Sequence, residues 1–485
     1  MAYQHGVRVL EQPTSVVSPI RGTAGLQVVF GTAPINLADN PYGATNKPVL
    51  ANSWSEAVAQ LGYSSDFTKY TLCQSMYASF KLFGVAPVVF VNVLDPTVHK
   101  KTNAAASVNV VSKEAVYVVQ GKGVLLDTVT VVNNENTLVK DTDYVLAFND
   151  DGDVVITLLA TGSAANAASL TVSSTSIDPT AVTTSDIIGS VSGSTEKGLE
   201  VLRQVYPRFG MVPGLLLAPG WTQNPPVAAA LAAKCEEING YFRCEGFVDI
   251  DSGTGACQLY SNVGTAKANA GIASEHIMAL WPCIQVGELI LWASAVWGAL
   301  TAYVDASNGD VPSLSPSNKL LGVTGTVLAD GTEVLLDQLQ ANTVNGFGVS
   351  TALNMNGWKS WGNNSAAYPG TTDPKDRWFA CRRFFSWWGN TFIQTYAQKV
   401  DDPANFRLIE DIVDSENIRG NAYVAEGRCA AAYISFNEEE NQVTDLLNGR
   451  LTFHQHLSPY VPAEDIVNIL EFDPDGLSRA LNGGV

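Results

Sequence analysis

The clearest fold signal lies in residues 214–250, GLLLAPGWTQNPPVAAALAAKCEEINGYFRCEGFVDI. Residues 214–218 form an apolar run of strand length, and residues 245–250 form a second one. Between them, Asn224 and two prolines begin a helix over residues 227–238, because proline is tolerated in the first turn and alanine has the highest helix propensity. This order predicts a βαβ unit.

Two further apolar runs, residues 26–30 and 88–93, supply strands for the same sheet. At 485 residues the chain is too long for one core, and a norm of about 150 residues per domain gives about three domains. Residues 289–304 are apolar but too few to span a bilayer comfortably, which favours a buried helix. We therefore predict an α+β (mixed α/β) fold of several domains, with mixed sheets flanked by helices.

A change of composition marks an inserted module. Between Pro96 and Pro179 the sequence contains no Pro, Cys or Trp. Strand-like runs separated by turns predict a small β-sandwich over residues 97–192, and the Asp-Gly pair in residues 149–153 predicts a hairpin turn. The stretch rich in Ser, Thr and Gly up to Gly198 is predicted to be the exit linker. The expected strands are residues 115–120, 128–132, 144–148 and 154–159.

Both ends of the chain have the pattern of strands with nothing local to pair with. Residues 3–11 alternate apolar Val7 and Val9 with polar neighbours, and residues 465–472 are DIVNILEF. An unpaired strand exposes N–H and C=O groups that template pairing with another chain. Two such ends predict a subunit that binds copies of itself by strand addition. The expected interface strands contain Val7, Arg8, Val9, Leu10, Ile466, Val467, Asn468, Ile469 and Leu470.

A long helix is predicted over residues 374–400, where apolar side chains recur at steps of three and four. This spacing favours core packing over a cofactor site for Trp378, Cys381, Phe385, Trp388, Phe392 and Tyr396. The other side of the helix carries a polar stripe, which is either solvated surface or a docking face. The polar residues concerned are Arg382, Arg383, Ser386, Asn390 and Gln394.

The charge balance argues against nucleic-acid binding. The formal net charge is −19 and the pI is near 4.6, whereas proteins that bind phosphate backbones cluster Lys and Arg. The first residues lack the apolar segment of a secretory signal. Seven cysteines without a C-x-x-C spacing predict buried, reduced thiols in a protein made in the cytosol.

No constellation of residues supports catalysis or metal binding. The crevice beyond the second strand of the βαβ unit holds Asp249 and Asp251, but no phosphate-binding glycine loop follows any predicted strand. Residues 249–253 begin like a calcium loop, yet the Gly and Glu that such a loop needs are missing. His454 and His456 share one face of a strand but have no third ligand. We therefore predict no catalytic residue, no metal and no cofactor.

Six motifs, in order along the chain, resemble those of the contractile tail sheath proteins of myoviruses, R-type pyocins and related injection machines. They are HGVRVLE (5–11), LLLAPGWT (215–222), SPSNKLLGVTG (315–325), NGWKSWGNNS (356–365), DRWFACRRFF (376–385) and GRLTFHQHLSPYVPAEDIVNILEF (449–472). The insert at residues 97–192 matches no core element of that family.

The resemblance implies a sheath subunit with extended terminal arms. Residues 1–25 are expected to be an N-terminal arm whose strand is exchanged with a neighbouring subunit, and residues 26–96 with 198–345 to be a middle α/β domain. Residues 97–197 are expected to be an outward-facing β module plus linker. Residues 346–485 are expected to be an inner, tube-facing domain with a C-terminal arm. The tube-facing candidates are Arg382, Arg383, Ser386 and Asn390.

The resemblance also implies a homo-oligomer of stacked hexameric rings that winds helically around an inner tail tube protein. Contraction then drives the tube through the target cell envelope. Baseplate and tail terminator proteins are the further partners, without direct contact with nucleic acid or membrane insertion of the subunit. The expected location is a virion tail or phage-tail-like particle, made in the host bacterial cytoplasm. The alternatives are a non-contractile virion protein, against which the arm and inner-helix motifs weigh, and an α/β enzyme, against which the missing catalytic constellation weighs.

Overall fold

The computed structural model describes residues 20–21 and 23–482. The predicted N-terminal interface strand, with Val7, Arg8, Val9 and Leu10, lies outside the described residues. In chain order, the elements before the insert are β1 (Ile20–Arg21), β2 (Gln27–Gly31), β3 (Pro48–Ala51), α1 (Trp54–Leu61), α2 (Leu72–Tyr77), β4 (Val85–Ala86) and β5 (Val88–Asn92).

The insert and the segment after it contain β6 (Lys100–Asn109), β7 (Glu114–Tyr117), β8 (Thr130–Asn133), β9 (Asn136–Thr137), β10 (Tyr144–Phe148), β11 (Val154–Leu158), β12 (Ser169–Ile177), α3 (Thr184–Ile188), β13 (Ser190–Ser192) and β14 (Thr195–Lys197). The next region contains α4 (Val205–Phe209), β15 (Leu215–Leu217), α5 (Pro225–Glu236), β16 (Glu245–Asp249), α6 (Val263–Asn269), β17 (Ile277–Leu280), β18 (Cys283–Val286), β19 (Leu289–Leu291), α7 (Ala293–Ser307) and β20 (Gly325–Val327). The C-terminal region contains α8 (Gln338–Gly346), β21 (Val349–Asn354), β22 (Trp358–Trp361), α9 (Pro374–Arg377), α10 (Phe379–Tyr396), α11 (Phe406–Ala425), β23 (Cys429–Phe436), α12 (Val443–Leu447), β24 (Phe453–Pro459) and α13 (Pro474–Leu481).

An eight-stranded sheet forms the centre of the subunit, in the order β22-β21-β17-β16-β15-β2-β5-β3. The strands from β21 to β5 are parallel, while the edge strands β22 and β3 run antiparallel to their neighbours. The predicted βαβ unit is β15, α5 and β16, in which Leu215 pairs with Glu245 in parallel register. The predicted strands at residues 26–30 and 88–93 are β2 and β5. The structure thus confirms the mixed α+β fold.

Helix α7 packs against this sheet and is buried along almost its whole length. Gly298 permits the close approach, because a Cβ at that position would lie 2.2 Å from a methyl carbon of Leu217 in β15. The prediction of a buried helix over residues 289–304 is confirmed for α7 and wrong for Leu289–Leu291, which pair with β18 and form β19. Within residues 20–21 and 23–482, no helix is long and apolar enough to cross a membrane.

The insert forms two sheets around a hydrophobic cluster of its own, while its Leu125 and Ile177 pack in the central core. One sheet has the order β10-β11-β7 and the other the order β6-β12-β8-β9. The predicted turn joins β10 to β11, and Asn149 N–H donates to the carbonyl of Asp153 at 3.0 Å. Every second side chain of β11 is fully buried, as expected for a strand with one face packed on a core.

The prediction of an exit linker up to Gly198 is wrong, because this stretch is folded. It contains α3 and the β13–β14 hairpin, and Ile187 of α3 is buried in the central core. Ser and Thr favour helix caps as well as linkers, and here Thr183 N–H donates to Asp186 in the first turn of α3. The two-sheet module ends earlier, where Asp178 N–H donates to the carbonyl of His99 at 2.8 Å.

The helix predicted over residues 374–400 is interrupted. Helix α9 ends at Arg377 and α10 begins at Phe379, because Trp378 has extended backbone angles and forms a β-bridge with Asn364. The predicted core role is confirmed for Trp378, Cys381 and Trp388, which are buried. The remaining members of the aromatic stripe, Phe385, Phe392 and Tyr396, are half-buried.

At the carboxyl end of β16, Asp249 is buried and holds the start of α7. Ser294 N–H donates to Asp249 Oδ1 at 2.9 Å, and Thr222 Oγ1 donates to Asp249 Oδ2 at 3.2 Å. Burial raises the pKa of Asp249 to about 6, although these hydrogen bonds act in the opposite direction. The carboxylate that the sequence places at a possible crevice therefore caps a core helix.

Replacing Asp249 by Asn should remove a pH dependence of stability between about pH 4 and pH 6. The folded-state pKa lies above the unfolded value, so the contribution of this carboxyl to folding is fully present below pH 4 and is lost as the pH rises through 6. Across that window the unchanged protein should lose about 3 kcal/mol relative to Asp249→Asn. Urea unfolding at pH steps from 4 to 7 measures this difference, with the exposed Asp251→Asn as the matched control. If the difference in unfolding free energy between the unchanged protein and Asp249→Asn does not vary with pH, the raised pKa assigned to Asp249 is wrong.

Candidate subunit interface

The C-terminal arm, which we define as residues 460–473, pairs with no described strand. Its large apolar side chains from Ile466 to Phe472 are between 73% and 87% exposed. A strand needs a partner for its N–H and C=O groups, so the strand predicted over residues 465–472 is not formed within the single subunit. The exposed side chains are Ile466, Val467, Asn468, Ile469, Leu470 and Phe472.

The root of the arm is fixed. Glu464 accepts a hydrogen bond from Arg377 Nη2 at 3.1 Å, and the guanidinium carbon of Arg377 lies 4.1 Å from a ring centre of Trp378. Cys381 Sγ lies 3.9 Å from the carbonyl oxygen of Tyr460. These contacts tie the first residues of the arm to α9 and α10, so the arm leaves the subunit in a defined direction.

Strands β23 and β24 form a two-stranded antiparallel sheet, and α11 covers one of its edges. Ile434 N–H donates to Asn417 Oδ1 at 2.9 Å, and Asn417 Nδ2 donates to the carbonyl of Ile434 at 3.2 Å. A Cβ at Gly420 would lie 2.1 Å from the carbonyl oxygen of Ala432. Helix α11 therefore occupies the outer edge of β23, so no strand can add there.

The outer edge of β24 is open among the described residues. Main-chain groups alternate in direction along an antiparallel pair. The N–H and C=O groups of Ile434 point away from β24. Those of its cross-strand partner Gln455 therefore point away from β23, toward the open edge. Along β24 the side chains of Phe453, Gln455 and Leu457 are half-buried, whereas those between them are exposed. This open edge has the length and alternation that strand addition needs.

The two histidines on the exposed face of β24 make local contacts. His454 Nε2 contacts Glu440, and the ring of His456 stacks on Tyr433 with ring centres 4.6 Å apart. In the part of the chain that the structure describes, no group of three or more His, Cys, Asp or Glu side chains is arranged to hold a metal ion. All seven cysteines are free and buried, which confirms the prediction of buried thiols.

Apart from Gln394, which is exposed, the polar side of α10 is neither solvated surface nor an exposed docking face in the single subunit. It packs against the middle of the chain, and the exposed fractions of its four tube-facing candidates are all 9% or less. Helical periodicity shows which side chains share a face but not what covers that face. The four residues are Arg382, Arg383, Ser386 and Asn390.

Arg383 forms a buried, bidentate ion pair with Asp305 near the end of α7. Its Nη1 donates to Asp305 Oδ1 at 3.0 Å, and its Nη2 contacts Oδ2. Burial alone would lower the pKa of Arg383, but the carboxylate of Asp305 outweighs this effect and raises the pKa, so the guanidinium stays charged. One sequence feature indicates that Asp305 needs a partner, since it is the first charged residue after the long uncharged run of α7.

Arg382 and Asn390 also have polar partners inside the subunit, whereas the buried hydroxyl of Ser386 has none. Arg382 Nη1 donates to Asp376 Oδ1 at 3.1 Å. Asn390 accepts from the N–H of Arg243 at 3.0 Å and donates to the carbonyl of the same residue at 2.6 Å. Ser386 lines a cleft of 170 Å³ between α10 and residues 210–214, with exposed Arg243 at its edge. Contact of these side chains with a tube stays a prediction, and it requires α10 to move away from its present partners.

A second contact at the end of α7 fixes the start of the described chain. The N–H groups of Thr23 and Ala24 each donate to Asp310 Oδ1 at 2.7 Å. Sequence reasoning did not identify Asp310, because nothing local to it points to a partner almost three hundred residues earlier. The contact places the root of the predicted N-terminal arm beside the Arg383–Asp305 pair.

Comparisons with known proteins cover the full length of the chain, although no family model matches it. The tail sheath protein of Burkholderia phage BcepMu is 28% identical over 503 residues, and the match covers 99% of each chain. A chain in the six-fold symmetrised baseplate of the anti-feeding prophage is 15% identical with a TM-score of 0.59, covering 98% of this chain and 100% of that one. A chain in the contracted PVC sheath complex, from an extracellular contractile injection system, is 14% identical with a TM-score of 0.57, covering 98% and 99%. The two structural matches show a shared fold.

Replacing Arg383 by Met should lower the free energy of unfolding by about 3–5 kcal/mol, because Asp305 would stay buried without its partner. The double change Arg383→Met with Asp305→Leu should recover most of this loss, since apolar replacement of both partners is often close to neutral. Urea unfolding of the purified subunits measures both effects. The control is Arg382→Met, whose partner Asp376 is partly exposed and whose loss should be smaller. Equal losses for the two single changes would contradict the assigned role.

Proposed function

Because this chain belongs to the contractile tail sheath protein family, we propose that it joins its neighbours in a helical sheath by exchanging its terminal arms. The chain is a subunit of a contractile sheath. One observation carries the proposal for the C-terminal arm. An exposed, apolar, unpaired segment at residues 460–473 occurs in the same subunit as the open outer edge of β24.

The energetics favour exchange over a free arm. Each backbone hydrogen bond contributes about 0.5–1.5 kcal/mol net, and burial of a large apolar side chain contributes about 1.5–3 kcal/mol. An added strand makes several such bonds and buries several such side chains. The resulting link between subunits is stronger than an exposed ion pair of about 0–1 kcal/mol. Links of this kind can persist while weaker lateral contacts rearrange during contraction.

The alternation of the arm indicates which face turns inwards. Alternate side chains of a strand share a face, so Ile466, Leu470 and Phe472 lie on one side. The half-buried side of β24 carries Phe453 and Leu457, which pack on the clusters beneath α10 and α11. Placing these three side chains on that side extends the acceptor's core. Asp465 and Glu471 then lie on the opposite side together with Val467 and Ile469, and the two carboxylates stay hydrated there.

We propose the same kind of exchange for the N-terminal arm, residues 1–25, through Val7, Arg8, Val9 and Leu10. The hydrogen bonds from Thr23 and Ala24 to Asp310 support this proposal, because they fix the place where the arm leaves the subunit. An arm that starts from a fixed point can reach a neighbour at a constant distance in every copy. That regularity is what an open helical assembly requires.

The finer features of the assembly are also proposals. Subunits stack in hexameric rings around an inner tail tube protein, with baseplate and tail terminator proteins at the ends. Residues 346–485 face the tube, and the subunit's role is structural rather than enzymatic. The particle is a phage tail or tail-like particle assembled in the host bacterial cytoplasm. Full-length similarity to a phage tail sheath protein supports this set of proposals.

Deleting residues 465–485, or residues 1–11, should give a folded subunit that does not polymerise, because each deletion removes an exchanged strand. Circular dichroism checks folding, and electron microscopy with sedimentation checks assembly. A finer test compares Asn468→Pro with Asn468→Ala, since proline removes a backbone donor and the N–H of residue 468 points toward β24 when residues 466–472 pair antiparallel with Phe453–Pro459. Only the proline variant should impair assembly strongly. Long tubes from either truncated subunit would contradict exchange of that arm.

The two-sheet module is proposed to face outward and to be dispensable for assembly. Joining His99 to Asp178 by a short Gly/Ser linker in place of residues 100–177 should preserve polymerisation, because the module has its own core and its ends meet at that point. Removing residues 97–192 instead should lower stability further, since Ile187 then leaves the central core in addition to Leu125 and Ile177, which both deletions remove. Unfolding curves of the two variants measure their stability, and electron micrographs show whether each variant polymerises. Loss of assembly in the shorter deletion would show that the module is needed.

A further inference from the structure

The short helix that ends the described chain has an unpartnered apolar stripe. Helix α13 follows the arm directly, and Asp473, the last residue of the arm, caps the helix by accepting the N–H groups of Asp475 and Gly476. Leu477 and Leu481 are 51% and 77% exposed and lie on one side of the helix. A helix of eight residues is marginal in water on its own. Its stability in an assembly therefore requires a surface that covers these two leucines.

A second exposed apolar stripe lies on α12, in the loop between β23 and β24. Val443, Leu446 and Leu447 occupy positions i, i+3 and i+4, and Leu447 is 82% exposed. These three side chains form the only face of α12 on which large apolar groups gather. Nothing in the described part of this subunit covers them.

The position of α12 is fixed relative to the start of β24. Asn441 is buried, donates to the carbonyl of Thr452 at 2.9 Å and accepts from the N–H of Thr452 at 2.7 Å. Asn441 also donates to the carbonyl of Asn437 at 2.8 Å, which closes the base of the loop. The loop is thus pinned beside Phe453, the first residue of β24. The exposed stripe of α12 stays close to that end of the open edge.

Antiparallel addition of an arm to β24 brings the two stripes together. The segment from Ile466 to Phe472 matches the seven residues of β24 in length. Antiparallel pairs are the commoner kind, and β23 already pairs with β24 in that way. In this orientation Phe472 lies next to Phe453, and α13 begins two residues later, at Pro474, beside α12. Parallel addition would carry α13 to the opposite end of β24, near Tyr460.

We propose that α13 of one subunit packs its leucine stripe on the stripe of α12 in the neighbouring subunit that receives its arm. This inference rests on the proposed arm exchange and adds a helix contact at the end of the exchanged strand. The occupant is a second copy of this chain, because the contact continues the same strand-addition surface. The subunit's own arm does not supply it, since that arm pairs with no described strand of its own subunit, β24 included.

Cysteine cross-linking tests the contact directly. Two single-substitution subunits, Leu477→Cys and Leu447→Cys, are mixed with an excess of unchanged subunit and assembled under reducing conditions, then oxidised. The native cysteines are all buried, so only the introduced thiols should react. A disulfide-linked dimer is expected, and because each subunit carries one new cysteine, the link must be between subunits. In the matched control, the Leu477→Cys subunit is mixed with a Leu339→Cys subunit in place of the Leu447→Cys subunit. Leu339 lies on α8 and is 76% exposed, and this pair should give no dimer.

Three outcomes would overturn the contact. They are absence of the dimer in assembled sheaths, an equal yield in the control, and a dimer between Leu477→Cys and Tyr460→Cys, which would indicate parallel addition. The substitutions Leu477→Asp and Leu447→Asp give a second readout, since each should lower the urea concentration at which sheaths dissociate. Polymerisation of a subunit lacking residues 465–485 would refute arm exchange itself. If that truncated subunit fails to assemble and no dimer forms, only the helix contact is refuted.

Discussion

The buried ion pair between Arg383 and Asp305 joins the C-terminal region to the central sheet, and the other contacts around it depend on its position. Helix α7 ends beside the pair, and three segments distant in sequence meet there. Asp310 holds Thr23 and Ala24, and Arg428, just before β23, donates to the carbonyl of Asn308. The end of one core helix therefore sets the positions of the N-terminal root, of α10 and of the β23–β24 sheet.

An ion pair of this kind selects a geometry more than it adds stability. Desolvation of two charges offsets most of their attraction, yet leaving either charge unpaired in the interior costs several kcal/mol. Any shift of α10 along α7 would separate the two charges and incur that cost. The roots of both arms lie close to this point in the fold, since Glu464 is bound to Arg377 just before α10. Their separation within a subunit is consequently fixed, which suits an assembly whose repeat must be the same in every copy.

The sequence predicted those features that depend on local patterns. The central strands are short apolar runs, and Asn224 with its prolines marks the start of α5, so the βαβ unit was predictable. The alternation of residues 466–472 indicated a strand without a local partner. The location of the open edge was not predictable, because it depends on Asn417 and Gly420 of α11 covering β23. The burial of Arg383 likewise depends on Asp305, which lies 78 residues earlier in the chain, and periodicity within one helix contains no information on such a partner.

The cysteines have a consequence for a particle built from many copies. Burial raises the pKa of Cys73 and of Cys283 to about 12 and that of Cys381 to about 11. The thiolate is the reactive form of cysteine, so these sulfur atoms are chemically quiet at neutral pH. A reactive thiol on the surface would be present in every subunit of the assembly. Oxidation would then form disulfides between neighbouring subunits and prevent them from moving. Because all seven thiols are buried, oxidising conditions should not form disulfides between subunits, and the subunits can still move relative to one another.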